Sequence, residues 1–200
     1  MNEQTQIKEI FFDFDGVITL DKQGSPTIVA YLSEQTHLPY ELVYRAYIKY
    51  NPDMLKGRIT HRDMWEPFCR TLGQDVDYGL LHDAFLNVSL DPKMLALIPS
   101  LKKKYRLGMI TDNKADRIET ILENTVLKGL FDDVIISANV GSRKTEDIIF
   151  REALKKSGLR AGECVFIDNT AANLVVPADM GFHTIFFDDE KRDFSELLRL

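Results

Sequence analysis

Residues 7–17 read Ile-Lys-Glu-Ile-Phe-Phe-Asp-Phe-Asp-Gly-Val, a short apolar run that ends in two acidic residues and a glycine. The apolar part, residues 7–14, is rich in isoleucine and phenylalanine and has the length of a buried strand. The Asp15-Gly16 pair that follows is typical of a turn. We therefore predict a buried strand here, with a turn at its carboxyl end.

Four further apolar runs of similar length follow along the chain, and segments with helical periodicity separate the later ones. They cover residues 105–110, 134–136, 164–167 and 184–187. Strands that are apolar on both faces belong to parallel sheets covered by helices, and parallel strands need crossover connections. The pattern predicts an α/β fold: a three-layer, Rossmann-like parallel sheet core.

The segment between the first two predicted strands breaks this alternation. From about residue 26 to residue 89 the sequence contains four helical patterns and no convincing strand. Thr60 and Asp63 resemble a capping box at the start of one of these helices, and Gly73 is a suitable stop. We predict a small all-helical cap of residues 21–89, inserted after the first strand into a core formed by residues 1–20 and 90–200.

Composition and charge exclude several classes of protein. The 200 residues carry 31 acidic and 25 basic side chains, a formal net charge of −6, so a broad nucleic-acid-binding surface is not expected. No apolar run approaches the roughly 20 residues that span a bilayer, and the polar residues 1–6 do not resemble a signal peptide. Only two cysteines occur, far apart in the chain. We expect a cytoplasmic protein without nucleic-acid or membrane partners; its oligomeric state stays open.

Asp13 and Asp15 give the strongest local chemical signal. Both follow the first predicted strand, at the edge of the sheet where ligands bind in open α/β folds. Two neighbouring carboxylates repel each other unless a cation or a proton intervenes. The alternative interpretation is structural: Asp15 and Gly16 form only a turn, and Asp13 is a hydrogen-bonded residue at the strand end.

Polar residues also occur near the ends of the later strands. Thr111 and Asp112 end the second strand, Lys144 precedes a later helix, and Asp168 ends the fourth strand. Each of them could instead be a helix cap or a solvated loop residue. Because the carboxyl ends of parallel strands meet at one edge of a sheet, a single shared site accounts for all of them together.

This set of residues, in this order, resembles the haloacid dehalogenase-like (HAD) hydrolase superfamily, and most closely its helical-capped sugar-phosphate phosphatase and phosphoglucomutase-like branch. The matching residues are Asp13 and Asp15 in the first motif, Thr111 in the second, Lys144 in the third, and Asp168 as the first acid of the fourth. The capped members of the superfamily carry a helical lid between the first and second motifs, where the helical segment lies in this chain.

The resemblance implies a phosphatase that works through an aspartyl-phosphate. Asp13 would be the nucleophile, and Asp15 would protonate the leaving alcohol and then take a proton from the attacking water. Thr111, Asp112 and Lys144 would bind the substrate, with Lys144 neutralising the nucleophile and the phosphoryl group. Members that displace halide lack an acid at the position of Asp15, so this residue favours phosphoryl transfer over dehalogenation.

The same resemblance implies Mg²⁺ as the cofactor. Asp13, Asp15 and Asp168 are the expected metal site, with Asp15 contributing its main-chain carbonyl. Two positions depart from the family pattern. Thr145 stands where proline is common, and Asn169 stands where a second acid is common. Because an amide supplies less negative charge than a carboxylate, Asn169 predicts weaker metal affinity.

The predicted cap bears on the choice of substrate. Residues 45–62 contain five Lys and Arg residues and a single acid, Asp53. This stretch could meet a small anion such as a sugar phosphate, although for any one of these residues a solvated helix face is the simpler interpretation. Two alternatives to a phosphatase stay open: a sugar phosphomutase of the same superfamily, and a non-catalytic relative that acts as a binding protein.

Overall fold

The computed structural model describes residues 6–200. Its centre is a five-stranded parallel sheet in the order β3-β2-β1-β4-β5. The strands are β1 (Glu9–Phe12), β2 (Arg106–Thr111), β3 (Asp133–Ile136), β4 (Cys164–Asp168) and β5 (His183–Phe186). The predicted α/β fold with a parallel, Rossmann-like sheet is thereby confirmed. The expectation that residues 1–6 are not a signal peptide concerns mainly residues 1–5, which lie outside the described residues.

Residues 6–200 contain ten α-helices beside the sheet. Six lie between β1 and β2, and the first five of these fall within residues 21–89: α1 (Gly24–Thr36), α2 (Tyr40–Ile48), α3 (Asn51–Met54), α4 (His61–Leu72) and α5 (Gly79–Leu86). The other five are α6 (Pro92–Lys102), α7 (Ala115–Asn124), α8 (Ser137–Val140), α9 (Asp147–Ser157) and α10 (Val175–Asp179). Short 3-10 turns occur at Ala161–Glu163, Ala171–Leu174 and Leu197–Arg199. Among residues 6–200, no helix is both long enough and apolar enough to cross a membrane.

The register of the sheet brings three strand ends to one place. Phe12 at the end of β1 pairs with Met109 of β2 on one side and with Ile167 of β4 on the other. Residues that follow these three positions therefore emerge side by side at the carboxyl edge of the sheet. Asp13 is the first residue after β1, and its backbone N–H donates to the carbonyl of Ile167, at 2.8 Å.

The helical segment of residues 21–89 contains five helices where the sequence predicted four. The additional helix, α3, is only four residues long and has a proline in its first turn, so no periodic pattern could reveal it. The predicted capping box at Thr60 and Asp63 is confirmed, and Gly73 ends α4 in the left-handed conformation. Thr19 and Leu90 form an isolated antiparallel bridge beside this segment. The limits of the cap, residues 21–89, stay a prediction.

The apolar core forms two clusters. One, around Phe11, Ile110 and Phe166, includes residues of α9. The other includes the neighbouring positions Phe12, Met109 and Ile167 and continues into α1, α2, α4 and α5. Because successive side chains of a strand point to opposite faces, the two clusters occupy the two sides of the sheet. The helices between β1 and β2 thus share a continuous apolar core with one face of the sheet.

Polar contacts also attach the helical segment to the sheet edge. Lys56 Nζ lies 2.8 Å from Glu146 Oε1, just beyond the loop that carries Lys144. Gly57, at φ +65°, approaches α8 so closely that an added Cβ would lie 1.9 Å from the carbonyl oxygen of Ala138. Only glycine fits there. The helical segment therefore closes over the carboxyl edge of the sheet.

Candidate active site

A polar cavity of about 370 Å³ lies at the carboxyl edge of the sheet, beneath α1 and α3. Five of the six residues expected from the sequence line it, namely Asp13, Asp15, Thr111, Asp112 and Lys144. The sixth, Asp168, is completely buried behind the lining. The structure thus brings the predicted site residues to one place, while their chemical roles stay predictions.

A tight turn holds Asp13 at the mouth of β1. Its carboxylate accepts a hydrogen bond from the N–H of Phe14, at 2.7 Å, and so caps the turn that runs through residues 14–18. Gly16 adopts φ +81° in this turn, a conformation that side chains with a Cβ disfavour. The N–H of Gly16 donates to the hydroxyl of Thr19, at 3.0 Å. The turn fixes one oxygen of Asp13 and leaves the other facing the loop before α9.

Lys144 occupies the position between two carboxylates. Its ammonium nitrogen lies 2.7 Å from Asp13 Oδ2 and 2.6 Å from Asp168 Oδ2, and the side chain is almost fully buried. Burial opposes the charge on Lys144, but the two carboxylates outweigh it and raise its pKa. The neighbouring Arg143 instead pairs with Asp112 at 3.0 Å. Of these two adjacent cations, it is therefore Lys144 that contacts the Asp13 carboxylate.

Asp13 is a buried carboxyl whose ionisation depends on nearby cations. Burial raises its pKa, Lys144 lowers it and the charge of Asp168 raises it, so that the resulting pKa is about 7. The net direction is upward because burial outweighs the attraction of an ammonium that Asp13 shares with Asp168. A further cation beside Asp13 would lower its pKa and favour the ionised form, which is the form that a nucleophile requires.

Asp15 points away from Asp13 and forms a bidentate ion pair with Arg117 of α7. The two guanidinium nitrogens each lie 2.8 Å from one oxygen of Asp15, and Asn113 donates to the same carboxylate, also at 2.8 Å. Burial alone would raise the pKa of Asp15, but the Arg117 charge and the hydrogen bonds from Arg117 and Asn113 lower it below its usual value. Asp15 is therefore held in its ionised form.

Asp112 fastens the loop that carries Lys144. One of its oxygens accepts the backbone N–H of Lys144 at 3.0 Å, and the other accepts Arg143 Nε. In this arrangement both carboxylate oxygens already have partners in the protein. Substrate binding by Asp112 stays a prediction, and what the contacts show is that this side chain positions the loop.

Asp168 has three partners of its own. Besides Lys144, its carboxylate accepts the backbone N–H of Thr170 at 2.7 Å and the side-chain amide of Asn173 at 3.1 Å. The adjacent Asn169 does line the cavity, and it packs against Gly16 so closely that an added Cβ there would lie 2.2 Å from Asn169 Nδ2. Asn169, rather than the neighbouring Asp168, is therefore the residue that lies against the turn after β1.

Comparison with known proteins identifies the family. Residues 7–181 match the haloacid dehalogenase-like hydrolase family. The chain belongs to this family. The resemblance expected from the motifs is thereby confirmed; its placement in the helical-capped sugar-phosphate branch stays a suspicion.

Three relatives illustrate the range of this family. The chain is 28% identical to bifunctional epoxide hydrolase 2 of Rattus norvegicus over 93% of its length but spans only 37% of that protein. It is 25% identical to a pyrimidine 5′-nucleotidase of Escherichia coli, covering 75% of the chain and 68% of the relative. A HAD family enzyme from Bacteroides thetaiotaomicron, solved with magnesium and inorganic phosphate, superposes with a TM-score of 0.75 at 20% identity and covers 96% and 100% of the two chains.

The oxygen donors of the HAD site fit a hard divalent cation. Among residues 6–200 no three His, Cys, Asp or Glu side chains form a group that could hold a metal ion, and the carboxylate of Asp15 is paired with Arg117. The Asp13 carboxylate and the Asn169 side chain nevertheless both line the cavity, beside the turn that starts at residue 14. Few protein oxygens, with water completing the shell, suit Mg²⁺. The donor set therefore fits Mg²⁺, with little negative charge to hold it.

Three polar residues of this site were not predicted as site residues from the sequence: Asn113, Lys114 and Arg117. All three follow β2, at or near the amino end of α7, and all are buried. Lys114 and Arg117 stand three residues apart immediately after the Thr111-Asp112-Asn113 strand end, so they lie on the same side of the first helical turn. That spacing was the available signal for two cations directed at the site.

Arg192 is a further missed residue, beyond the part of the chain that matches the HAD family. Its guanidinium donates to the main-chain carbonyls of Gly16, Val17 and Thr19, at 3.1 to 3.3 Å, and forms an ion pair with Asp91. These contacts hold the back of the turn that presents Asp13. Nothing in the local sequence around Arg192 indicates this long-range role.

Proposed function

We propose that this HAD hydrolase is a Mg²⁺-dependent phosphatase that cleaves a small phosphorylated metabolite of the sugar-phosphate class through an aspartyl-phosphate on Asp13. One observation carries the proposal: the Asp13 carboxylate lies 2.7 Å from the buried ammonium of Lys144, in a polar cavity at the carboxyl end of β1. A carboxylate placed beside a fixed cation can approach an anionic phosphoryl group without prohibitive repulsion.

Asp13, Lys144 and Thr111 divide the phosphoryl-transfer step among them. Asp13 Oδ2, the oxygen that lies beside Lys144, attacks phosphorus as the ester bond to the leaving oxygen breaks. Lys144 offsets the negative charge on the attacking carboxylate and on the phosphoryl oxygens. Thr111, at the end of β2, lines the same cavity and supplies a hydroxyl to a phosphoryl oxygen.

We assign three oxygen groups to the cation: the Asp13 carboxylate, the main-chain carbonyl of Asp15 and the Asn169 amide. Asp168, which was predicted as a ligand, lies behind the cavity lining and acts in this proposal through its contact with Lys144. When bound, Mg²⁺ supplies positive charge that screens the nucleophile from the phosphoryl oxygens. Because Asn169 is neutral, the site should need a higher Mg²⁺ concentration than one with a second carboxylate.

Asp15 serves as the acid and base of the reaction in this proposal. The ion pair with Arg117 keeps it ionised, which suits the second step, in which it accepts a proton from the water that hydrolyses the aspartyl-phosphate. Proton donation to the leaving alcohol in the first step requires Asp15 to be protonated, and Arg117 opposes this. The first step should therefore be faster with substrates whose leaving group needs no proton.

The relatives are consistent with this assignment. The nucleotidase of Escherichia coli is named for action on a phosphorylated substrate, and the Bacteroides enzyme was solved with magnesium and phosphate. A sugar phosphomutase is the alternative, since it would use the same nucleophile and return the phosphoryl group to the sugar. We further propose a cytoplasmic protein with a small phosphorylated partner and no nucleic-acid or membrane partner.

A panel of phosphorylated metabolites, assayed for inorganic phosphate, tests the function. We expect phosphate release that EDTA stops and added Mg²⁺ restores. Conversion of a sugar phosphate to its isomer without phosphate release would favour the mutase. Chloride release from a haloacid, with no phosphate release from any ester, would contradict the proposal, and so would turnover that persists in EDTA.

A further inference from the structure

Lys114 is a buried lysine that projects into the candidate active site but takes no part in the proposed phosphoryl transfer. It immediately precedes α7, its side chain is 5% exposed, and it lines the same cavity as Asp13 and Lys144. Its ammonium donates to the hydroxyl of Ser25 in α1, at 2.7 Å. The amide of Asn51 donates to the same hydroxyl at 2.9 Å.

The other cations around the cavity all have carboxylate partners. Lys22 pairs with Asp189, Arg143 with Asp112, Lys144 with Asp13 and Asp168, and Arg117 beneath the floor with Asp15. Lys114 alone, among these cations of the described chain, forms no ion pair. Within residues 6–200 the only hydrogen bond of its ammonium goes to the neutral hydroxyl of Ser25, and the centre of the Tyr47 ring lies 5.7 Å away.

An unpaired buried ammonium is energetically unfavourable. Burial and the positive charge of Arg117 lower the pKa of Lys114 to about 7, against the opposing effects of Asp15 and Asp116. Removing a cation from water is unfavourable unless an anion offsets the loss. An anionic ligand group beside Lys114 would offset it and keep the side chain charged.

The polar groups beside Lys114 suit an anion with more than one oxygen. The Ser25 hydroxyl and the Asn51 side chain both line the cavity, and each can donate a hydrogen bond. The one carboxylate that could compete for this place, Asp15, is already bound to Arg117. The lining around Lys114 therefore combines one cation with two neutral donors.

We propose that Lys114, Ser25 and Asn51 form a second anion subsite, which binds a carboxylate or second phosphate at the end of the substrate opposite to the ester phosphate. The inference rests on the proposed function, because Asp13 and Lys144 define the end of the cavity that takes the ester phosphate. A cavity of about 370 Å³ holds a small metabolite that carries both groups. The preferred substrates thus carry a second anionic group besides the ester phosphate, in contrast to a phosphate ester of an uncharged sugar.

Equilibrium binding in the Asp13→Asn background tests the subsite without turnover. The ligands are glycerol phosphate, phosphoglycerate with both groups on terminal carbons, and propanediol bisphosphate, each titrated calorimetrically with Mg²⁺ present. Phosphoglycerate differs from glycerol phosphate only by a carboxylate in place of a hydroxymethyl group. We expect at least one doubly anionic ligand to bind about 10–100-fold more tightly than glycerol phosphate, as for a hydrogen-bonded charge pair.

Lys114→Met in the same background should abolish that preference and leave the affinity for glycerol phosphate within about twofold. It should not lower the thermal midpoint of the free protein, because methionine removes an unpaired buried charge and retains much of the side chain's length. Lys103→Met, at an exposed position after α6, is the matched control and should retain the preference. A larger gain in affinity over glycerol phosphate for phosphoglycerate identifies the second group as a carboxylate. A larger gain for propanediol bisphosphate identifies it as a phosphate.

Equal affinity for all three ligands would overturn the subsite, as would a preference that survives Lys114→Met. Binding of none of them would overturn it too. The proposed function is judged separately, by phosphate release from the wild-type protein. A wild-type protein that binds phosphoglycerate preferentially but hydrolyses no ester would retain the subsite and contradict the phosphatase.

Discussion

The two ends of strand β1 each carry a buried carboxyl group in a very different environment. Glu9 begins the strand and Asp13 follows it, and burial raises the pKa of each to about 7. Asp13 accepts a hydrogen bond from the backbone and contacts Lys144 at 2.7 Å. Neither oxygen of Glu9 has a hydrogen-bond partner among the described residues, and its nearest cation, Arg106, lies 3.7 Å away.

The two environments differ in whether a ligand can reach the buried carboxyl group. At the carboxyl end of the sheet, loops after β2 and β3 bring cations to the acids and leave a cavity between them. At the amino end, Glu9 is covered by its neighbours: a Cβ added to Gly108 would lie 3.0 Å from Glu9 Oε1. Asp13 can meet a ligand, whereas Glu9 meets only the protein.

Asp13→Asn should give the largest effect. The amide preserves the shape of the side chain and an oxygen for the Phe14 N–H, but it cannot attack phosphorus. We expect the turnover of an aryl phosphate to fall about 10⁴-fold or more, as on removal of other covalent nucleophiles. The measurement is phosphate release at saturating substrate and Mg²⁺, with circular dichroism to verify folding.

Glu9→Gln is the matched control, because it makes the same carboxylate-to-amide change at the other end of the same strand. Its turnover should lie within about twofold of the wild-type value. If Asp13→Asn retained comparable activity, the nucleophile would be another residue. If Glu9→Gln were equally inactive, the loss would reflect damage to β1 rather than removal of a reacting group.

Arg117→Met should give the next largest effect, on stability. The substitution leaves Asp15 buried without its bidentate cation, and breaking a buried ion pair from one side costs about 3–5 kcal/mol. The pKa of Asp15 should rise, because burial then acts without the opposing charge. Urea unfolding measures the loss of stability, and the pH dependence of alkyl phosphate hydrolysis should move upward on its basic side.

Arg151→Met is the control for this variant. Arg151 pairs with Asp147 at 2.8 Å, but both side chains are exposed on α9, where such pairs contribute about 0–1 kcal/mol. An equal loss of stability in the two variants would mean that burial of the Asp15–Arg117 pair is not what makes it strong. An unchanged pH profile in Arg117→Met would show that Asp15 does not limit the alkyl phosphate reaction.

The parallel sheet was predictable because its strands are short apolar runs separated by helical periodicity. The observed strands differ from the predicted runs by at most two residues at either end: the first was expected at residues 7–14 and spans Glu9–Phe12. The short helix α3 was missed because four residues contain no periodicity. Local patterns thus define the elements well and their ends less well.

The site was predictable to the extent that its residues follow strands directly. Asp13 and Thr111 stand at strand ends, and the order of the motifs indicated Lys144. Arg117 and Arg192 could not be assigned in this way, because their partners lie about a hundred or more residues away in the chain. Such pairings depend on the tertiary fold, and only the structure shows them.

Glu9→Gln should also produce the smallest effect, a change in how stability depends on pH. The folded-state pKa of Glu9, about 7, exceeds its usual value of 4.5, because burial outweighs the attraction of Arg106 and is reinforced by the nearby Asp133. The folded protein therefore holds this proton more tightly than the unfolded chain. The stability that results is fully present below pH 4.5 and is lost as the pH rises through 7.

Because Asp13 and Lys114 also have pKa values near 7 in the folded protein, only the difference between Glu9→Gln and the wild-type protein isolates this group. Between pH 5 and pH 8 the unfolding free energy of the wild-type protein should fall by roughly 1–3 kcal/mol more than that of Glu9→Gln. Urea titrations at the two pH values measure the difference. If the two proteins gave parallel pH profiles, Glu9 would ionise as it does in water. The two ends of β1 would then differ only in the groups that contact their carboxylates.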